Sequence, residues 1–221
     1  MNTSLNKLRK HYISWEGVIR CGKTTQRQLF VERFKKEFPE KSIETSREPG
    51  GDQIAEVIRS TVQGEIFSSF NTPMTPECEA LLYSASRAQT VPSIVIPALK
   101  RGSIFASDRS ALTSIAYQGA GRGLGMERVF KINDLVLDGM WPGLGIVIDT
   151  DLREVINRAR NVMEDKFEAF GVDFFKKARE GYLVMGDLMK GITRIEIVNG
   201  NGSIEEVHER VWKVVIRYFG I

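Results

Sequence analysis

The sequence predicts an α/β fold in which one parallel sheet of five strands lies between two layers of helices. Three observations indicate this class: five short apolar segments rich in β-branched residues, helical patterns between them, and a glycine-containing turn after the first segment. Strands that alternate with helices imply right-handed crossovers and a sheet covered on both faces. Ligands of such folds bind where the strands end.

The strands and two of the helices follow from local patterns. The predicted strands are Tyr12–Trp15, Ile43–Ser46, Ser103–Ser107, Leu144–Asp149 and Thr193–Val198. Three phenylalanines spaced four residues apart indicate an amphipathic helix that begins near Lys23. Ser203 and Glu206 have the spacing of a capping box ahead of a C-terminal helix.

Other helices are expected between these strands. Asp52 opens a second helical pattern, and Pro76 opens a longer one that continues to about residue 100. Pro92 and Pro97 should kink or divide that long helix, because proline lacks an amide hydrogen. The glycine-rich patch Gly119–Gly125 is expected to be a loop.

Length and composition narrow the class of protein. A chain of 221 residues fits a single domain over 1–221, and 42% hydrophobic with 27% charged residues is typical of a globular protein. The net charge of +3 comes from scattered basic residues, so no nucleic-acid groove is predicted. No segment approaches the roughly 20 apolar residues of a membrane span, and we expect a cytoplasmic protein.

The cysteines and histidines do not predict a metal site or a disulfide. Cys21 and Cys78 are too few for a disulfide framework and lack the spacing of a zinc site, so both are expected to be thiols. His11 and His208 lie near opposite ends of the sequence without matching cysteines. We expect no structural metal.

A phosphate-binding loop follows the first predicted strand. Gly17, four residues, then Gly22, Lys23 and Thr24 match the P-loop pattern, and the expected strand and helix flank it. Backbone amides and the helix N-terminus can hold phosphates, Lys23 can reach the β and γ phosphates, and Thr24 can bind Mg²⁺. The predicted loop, residues 17–25, contributes nucleoside triphosphate contacts from Gly17, Val18, Arg20, Cys21, Gly22, Lys23, Thr24 and Thr25.

Two arginines stand close to this loop in the predicted fold. Arg20 lies within the loop, where it could stabilise charge on a transferring phosphoryl group or simply face solvent. Asp108 and Arg109 follow the third predicted strand, so both should project at the ligand edge of the sheet. Since Arg109 could bind a phosphate bidentately, the pattern indicates a nucleotide monophosphate kinase.

Three further segments resemble the thymidylate kinase family: TSREPGGD (45–52), LLYSASRAQ (81–89) and SDRSALTSIAYQGAGRG (107–123). With the phosphate loop, they cover nearly the whole chain in the family's order, and REPGG with AYQG is the most specific part. The resemblance implies a three-layer P-loop NTPase fold with a five-stranded parallel sheet. It also implies ATP-dependent phosphorylation of dTMP to dTDP with Mg²⁺, in a homodimer.

The resemblance also implies roles for individual residues. Arg47 would contact the acceptor phosphate, Tyr83 would stack on the base, and Arg87 would bind the base edge, although Tyr83 could be core and Arg87 a surface residue. Tyr117 would crowd the 2′ position of the sugar, and Asp108 with Thr24 would order the Mg²⁺ shell. The expected substrate contacts are Arg47, Pro49, Tyr83, Arg87, Arg109, Ser114, Tyr117 and Gln118.

A basic segment at about residues 158–168 matches the family's lid in position. Arg158 and Arg160 would supply positive charge over ATP, although Arg160 could equally belong to an ordinary salt-bridged helix face. We expect Arg20 to contribute more than either lid arginine. The predicted catalytic set is Arg20, Lys23, Asp108, Arg109, Arg158 and Arg160.

Tyr83 stands where the family usually has a phenylalanine, and four further positions depart from the family pattern. Ile19 stands where the family has a carboxylate for the 3′-hydroxyl of the sugar, so that contact should be missing. Lys166 replaces the arginine of the lid motif, Gly143 replaces an aspartate, and Ser110 replaces an aromatic residue or histidine. These departures leave two alternatives: a kinase of another pyrimidine monophosphate, or a nucleotide-binding homologue without catalysis.

Overall fold

The computed structural model of the chain describes residues 3–63, 72–160 and 164–221. Its sheet has five strands in the order β2-β3-β1-β4-β5, and every neighbouring pair is parallel. The predicted strands are confirmed to within one residue at each end. They are β1 Tyr12–Glu16, β2 Ile43–Arg47, β3 Ile104–Asp108, β4 Leu144–Asp149 and β5 Arg194–Asn199.

The central strands are buried on both faces of the sheet. In β1, Ile13 and Trp15 belong to one hydrophobic core, whereas Tyr12 belongs to the other. The alternation arises because successive side chains of a strand point to opposite faces. Continuous apolar strands of this kind are typical of a parallel sheet between two layers of helices.

Helices cover both faces of the sheet. Those described are α1 Thr3–Arg9, α2 Lys23–Glu37, α3 Gln53–Gln63, α4 Pro76–Thr90, α5 Ile96–Lys100, α6 Ala111–Ser114, α7 Met126–Leu137, α8 Leu152–Arg160, α9 Glu164–Leu188 and α10 Ile204–Phe219. The capping box of α10 is confirmed: the Glu206 amide donates to Ser203 Oγ at 3.2 Å, and Ser203 N donates to the Glu206 carboxylate at 2.9 Å. The sequence patterns did not predict α1, α6, α8 or α9. No helix in the described ranges is both long and apolar enough to cross a membrane.

The long helix that begins at Pro76 is divided, as Pro92 predicts, but its backbone stays helical. A π-helical segment, Val91–Val95, joins α4 to α5, and Val91 and Ile96 at its junctions both have right-handed helical φ and ψ. Because Pro92 cannot donate a hydrogen bond, a local widening of the helix accommodates it without a break.

The expectation of a loop at Gly119–Gly125 is wrong for its first three residues. A π-helical segment runs from Ile115 to Gly121 and packs against α9. A Cβ atom on Gly121 would lie 2.6 Å from the Phe174 ring, and one on Gly119 would lie 2.9 Å from the Met126 Cα atom. These glycines therefore allow close packing of helical segments, and they are not markers of a loop.

Two other glycines occupy positions that restrict side chains. A Cβ atom on Gly143 would lie 2.4 Å from the Arg9 carbonyl oxygen and 2.5 Å from the Tyr218 hydroxyl. The aspartate expected from the family pattern has no room there. Gly171 interrupts α9 with φ 73° and ψ 159°, a conformation that favours glycine.

Candidate active site

The phosphate loop connects β1 to α2 at the carboxyl edge of the sheet. Gly17 has φ 131°, and a Cβ atom there would come within 2.7 Å of the Ile148 carbonyl oxygen, so only glycine fits at the start of the turn. Val18 is buried behind the loop. Gly22 adopts φ 96° as the N-cap of α2, whose amides therefore open toward the loop.

A first cavity of about 640 Å³, the loop cavity, lies over this turn. Beyond the loop, its wall includes Gly200 and Ser203 from the turn between β5 and α10, and Ile204 and Val207 from α10 itself. Six of the eight predicted triphosphate contacts line it: Arg20, Cys21, Gly22, Lys23, Thr24 and Thr25. Gly17 and Val18 belong to the turn behind it.

The segment predicted to be a lid reaches the loop cavity through Arg158. Its Nη1 atom donates to the carbonyl oxygen of Arg20 at 3.4 Å, and its Nε atom donates to Glu154 at 2.9 Å. One predicted lid arginine therefore lies directly over the phosphate loop. The side chains of Arg160 and Lys166 lie outside the described part of the structure.

A second cavity of about 570 Å³, the central cavity, opens beside the first. The structure brings together at its wall all eight predicted substrate contacts: Arg47, Pro49, Tyr83, Arg87, Arg109, Ser114, Tyr117 and Gln118. Asp108 also lines it, and Ile19, Lys23 and Thr24 line both cavities. The two cavities therefore meet at the first turn of α2.

Thr24 and Asp108 are joined where the cavities meet. The Thr24 hydroxyl donates to Asp108 Oδ2 at 2.5 Å, which links α2 to the end of β3. A hydroxyl and a carboxylate fit Mg²⁺, which binds oxygen and commonly takes its remaining ligands from water and phosphates. In the described ranges, no group of three or more His, Cys, Asp or Glu side chains could hold a metal. The donor set therefore suits a metal that enters with a phosphorylated ligand.

Lys23 and Arg109 are two cationic side chains that lie close enough to repel each other. Burial lowers the pKa of Lys23, and the charge of Arg109 lowers it further. Burial also lowers the pKa of Arg109, but Tyr117, Tyr182 and acidic neighbours together raise it above its ordinary value. The Arg109 guanidinium lies 5.1 Å from the centre of the Tyr117 ring. An anionic ligand would relieve the repulsion between the two cations.

The carboxylate of Glu16 lies behind Arg109 and was not predicted as a site residue. It is fully buried and accepts hydrogen bonds from Ser110 Oγ at 2.7 Å, Thr113 Oγ1 at 2.6 Å and the Tyr182 hydroxyl at 3.3 Å. Thr113 Oγ1 also lies 3.3 Å from Arg109 Nη1. Burial raises the pKa of Glu16, and the hydroxyl donors oppose that shift. Ser110, the departure from the family's aromatic residue, is thus part of this network.

Arg87 is buried at 3% exposure, so it is not a surface helix residue. Its Nε atom donates to Glu48 Oε2 at 2.7 Å, and its two terminal nitrogens donate to Asn133 and Ser114. Tyr12 donates to the other Glu48 oxygen at 3.3 Å. These partners fix the guanidinium at the cavity wall, and within the described residues two of its five N–H groups remain for a ligand.

Arg47 and Arg59 form a second cationic end of the central cavity. Arg47 pairs with Glu56 at 2.9 Å and is 53% exposed, so a ligand can reach it. Arg59 donates to the Pro49 carbonyl oxygen at 2.9 Å and lines the same cavity. Burial, and then the charge of Arg47, lowers the pKa of Arg59. With Arg109 nearby, three guanidinium groups surround a space suited to a phosphate.

Sequence reasoning missed several residues of this site, and Glu48, Glu16, Arg59 and Asn133 illustrate why. Glu48 lies within the REPGG segment and Glu16 directly precedes Gly17, so position next to a motif was an available signal for both. Arg59 lies on α3 and Asn133 on α7, and their contacts join parts of the chain that are distant in sequence. No local pattern marks either of them.

Nearly the whole chain is similar in sequence and in fold to known proteins. The family model described as Thymidylate kinase matches residues 15–211. A thymidylate kinase of Kosmotoga olearia is 39% identical over 91% of this chain and 93% of that protein. One of Caldanaerobacter subterraneus is 37% identical over 96% and 97% of the two chains. The crystal structure of thymidylate kinase from Ehrlichia chaffeensis is similar with a TM-score of 0.70 and 26% identity, and covers 92% of this chain and 97% of its own.

Proposed function

Because this chain belongs to the thymidylate kinase family, we propose that it transfers the γ-phosphoryl group of ATP to dTMP, giving ADP and dTDP. The observation that carries this proposal is the meeting of two cavities at Lys23 and Thr24. A triphosphate held by the loop then faces a monophosphate in the central cavity. Such an arrangement makes the reaction of two bound nucleotides effectively unimolecular.

The central cavity supports an acceptor with a phosphate at one end and a flat base at the other. Arg47, Arg59 and Arg109 surround the phosphate end, whereas Tyr83 and Arg87 line the end proposed for the base. The volume of about 570 Å³ is within the usual range for small-molecule sites. In this proposal the sugar lies between these ends and contacts Tyr117, which stands next to Arg109.

The proposed mechanism needs no strong general base. The nucleophile is a phosphate oxygen that already carries charge, so the protein has to align two anions and neutralise the charge between them. Lys23 and Arg109 supply positive charge where the cavities meet, and Arg20 and Arg158 supply it on the ATP side. Mg²⁺, held by Thr24 and Asp108, would neutralise phosphate oxygens further when bound.

A substrate panel tests this function. Purified protein is mixed with ATP, Mg²⁺ and either dTMP, dUMP, UMP or dCMP, and the release of ADP is followed in a coupled assay. We expect dTMP to be the best acceptor. Faster turnover of another pyrimidine nucleotide would favour the alternative acceptor that Ile19 and Tyr83 suggest. Nucleotide binding without ADP release would indicate a homologue that does not catalyse the transfer.

We also propose that the protein is cytoplasmic and that residues 1–221 form one domain. Two copies of this domain would form a homodimer through the outer faces of α4 and α7. Val129 of α7 is fully buried in the core, but Leu135 is 85% exposed and Leu81 of α4 is 57% exposed. A groove beside Leu81 carries both charge signs, with Glu77 opposite Arg128 at 3.6 Å. A two-fold interface can use such a self-complementary surface. Sedimentation should give a dimer for the wild type and a monomer for Leu135→Glu.

A further inference from the structure

The side chain of Gln118 presents an acceptor that no described residue satisfies. Gln118 lines the central cavity and is 2% exposed. Its Nε2 atom donates to Glu79 Oε1 at 2.7 Å, whereas its Oε1 atom is buried and has no hydrogen-bond partner in the described ranges. Since a buried polar atom is costly without a partner, this oxygen is suited to a hydrogen-bond donor of a ligand.

Glu79 determines which end of the Gln118 carboxamide faces the ligand. A carboxylate accepts hydrogen bonds and has none to donate, so it must face the amide nitrogen of Gln118. Arg122, which follows the π-helical segment that contains Gln118, donates from Nη2 to the other oxygen of Glu79 at 2.7 Å. This second hydrogen bond holds the carboxylate in place. The Gln118 oxygen is thereby directed away from Glu79.

We propose that Glu79 is a positioning residue that turns the Gln118 oxygen toward the acceptor base, so that the site accepts thymine and uracil and rejects cytosine. This inference rests on the proposed function. Thymine and uracil carry a hydrogen on N3, which the Gln118 oxygen can accept. The N3 atom of cytosine has no hydrogen, and two facing acceptors would leave both unsatisfied.

Arg87 reinforces this pattern from the same cavity wall. Its remaining N–H groups can donate to the carbonyl oxygen at position 4 of thymine or uracil, where cytosine has an amino group. Donors on Arg87 and an acceptor on Gln118 thus form one complementary edge. That edge requires a single orientation of the carboxamide, which the carboxylate of Glu79 provides.

The test is the variant Glu79→Gln, in which the new carboxamide can accept or donate and so allows Gln118 to turn over. We expect the preference for dTMP over dCMP, measured as the ratio of kcat/KM values, to fall roughly tenfold or more. The preference between dTMP and dUMP should stay within about twofold, because the two bases share the same edge. The control is Glu209→Gln, which removes another carboxylate paired with an arginine, at a distant and exposed place on α10.

A second variant and a double variant separate positioning from a structural role. Gln118→Met should by itself lower the preference for dTMP over dCMP, and Glu79→Gln should change that preference by less than about twofold in the Gln118→Met background. Equal losses for all three nucleotides, or an effect of Glu79→Gln that persists without Gln118, would overturn the proposal. If Glu79→Gln does not fold, an unchanged preference in Gln118→Met overturns it as well.

Binding measurements keep this inference distinct from the proposed function. Calorimetry of dTMP and dCMP with the same variants reports base preference whether or not phosphate is transferred. A wild type that binds dTMP in preference to dCMP, and loses that preference in Glu79→Gln, supports the role of Glu79 even if the substrate panel shows no ADP release. A wild type that binds both nucleotides equally contradicts it even if dTMP is phosphorylated.

Discussion

The Thr24 hydroxyl oxygen lies 2.5 Å from Asp108 Oδ2, and this hydrogen bond links the first turn after the phosphate loop to the end of β3. They are 84 residues apart in sequence. The contact places one side-chain oxygen from each element at the junction of the two cavities. The consequences of removing the carboxylate can therefore be tested directly.

Replacing Asp108 by asparagine should lower kcat roughly 10- to 100-fold, because the hydrogen bond from Thr24 then has a neutral acceptor and the negative charge proposed for the Mg²⁺ shell is lost. The Mg²⁺ concentration needed for half-maximal turnover should rise as well. Asp138→Asn is the control, since Asp138 is exposed at the end of α7 in a left-handed conformation that asparagine tolerates. An unchanged magnesium dependence in Asp108→Asn would contradict the assignment.

Lys23→Met should lower kcat roughly 10²- to 10³-fold while the protein becomes more resistant to urea, by about 1 kcal/mol. Lys23 is a buried cation next to another cation, so removing its charge relieves both burial and repulsion in the ligand-free protein. Lys35→Met, on the exposed side of the same helix, should change neither quantity. Turnover near that of the wild type would refute the role of Lys23.

Glu16→Gln should change the pH dependence of stability. Burial raises the pKa of Glu16 above its ordinary value of 4.5, so the folded protein binds this proton more tightly than the unfolded chain does. The resulting stabilisation is fully present below pH 4.5 and is lost as pH rises through the raised pKa. The free energy of unfolding of the wild type minus that of Glu16→Gln should therefore decrease over this interval. Urea unfolding at several pH values measures this difference. The control is Glu40→Gln at an exposed position, for which the difference from the wild type should not change with pH.

Gly143→Ala and Gly186→Ala should have opposite effects. A Cβ atom on Gly143 would meet the Arg9 carbonyl oxygen and the Tyr218 hydroxyl, so overpacking should lower the free energy of unfolding by roughly 1–3 kcal/mol. Gly186 lies within α9 with no atom within 4 Å of the added methyl group, and alanine there should stabilise by roughly 0.5–1 kcal/mol. Urea unfolding of both variants checks the prediction, which equal effects would contradict.

Ile19→Asp should restore the sugar contact that the family resemblance implies. Ile19 lines both cavities, so a carboxylate there would lie near the proposed sugar position. We expect kcat/KM for dTMP to rise roughly tenfold relative to that for the analogue lacking the 3′-hydroxyl, which corresponds to one hydrogen bond to a charged group. Ile19→Leu is the matched control and should leave the ratio unchanged. A ratio that is equal in both variants would place the sugar elsewhere.

Much of the fold was predictable because it depends on local patterns. Strand ends were correct to within one residue, since each strand is a short run of apolar, β-branched residues that ends at turn residues. The π-helical segment that contains Gly119 was missed for a tertiary reason: its glycines serve the packing against α9 and α7. Local composition cannot distinguish that use of glycine from a loop.

The site was predictable where motifs bring residues to strand ends, as for Asp108 and Arg109. The supporting partners of these residues were not, because they come from other parts of the chain. Asn133 on α7 holds Arg87 from 46 residues away, and Glu16 meets Tyr182 across 166 residues. Such pairs depend on how the helices pack, which one sequence does not reveal.

The break at Gly171 has a mechanical consequence for α9. An uninterrupted rod would carry any displacement of its first two turns directly to Phe175 at the wall of the central cavity. The non-helical glycine uncouples these two stretches. Substitutions in α9 before Gly171 are therefore expected to leave Phe175, and with it the wall of the central cavity, in place.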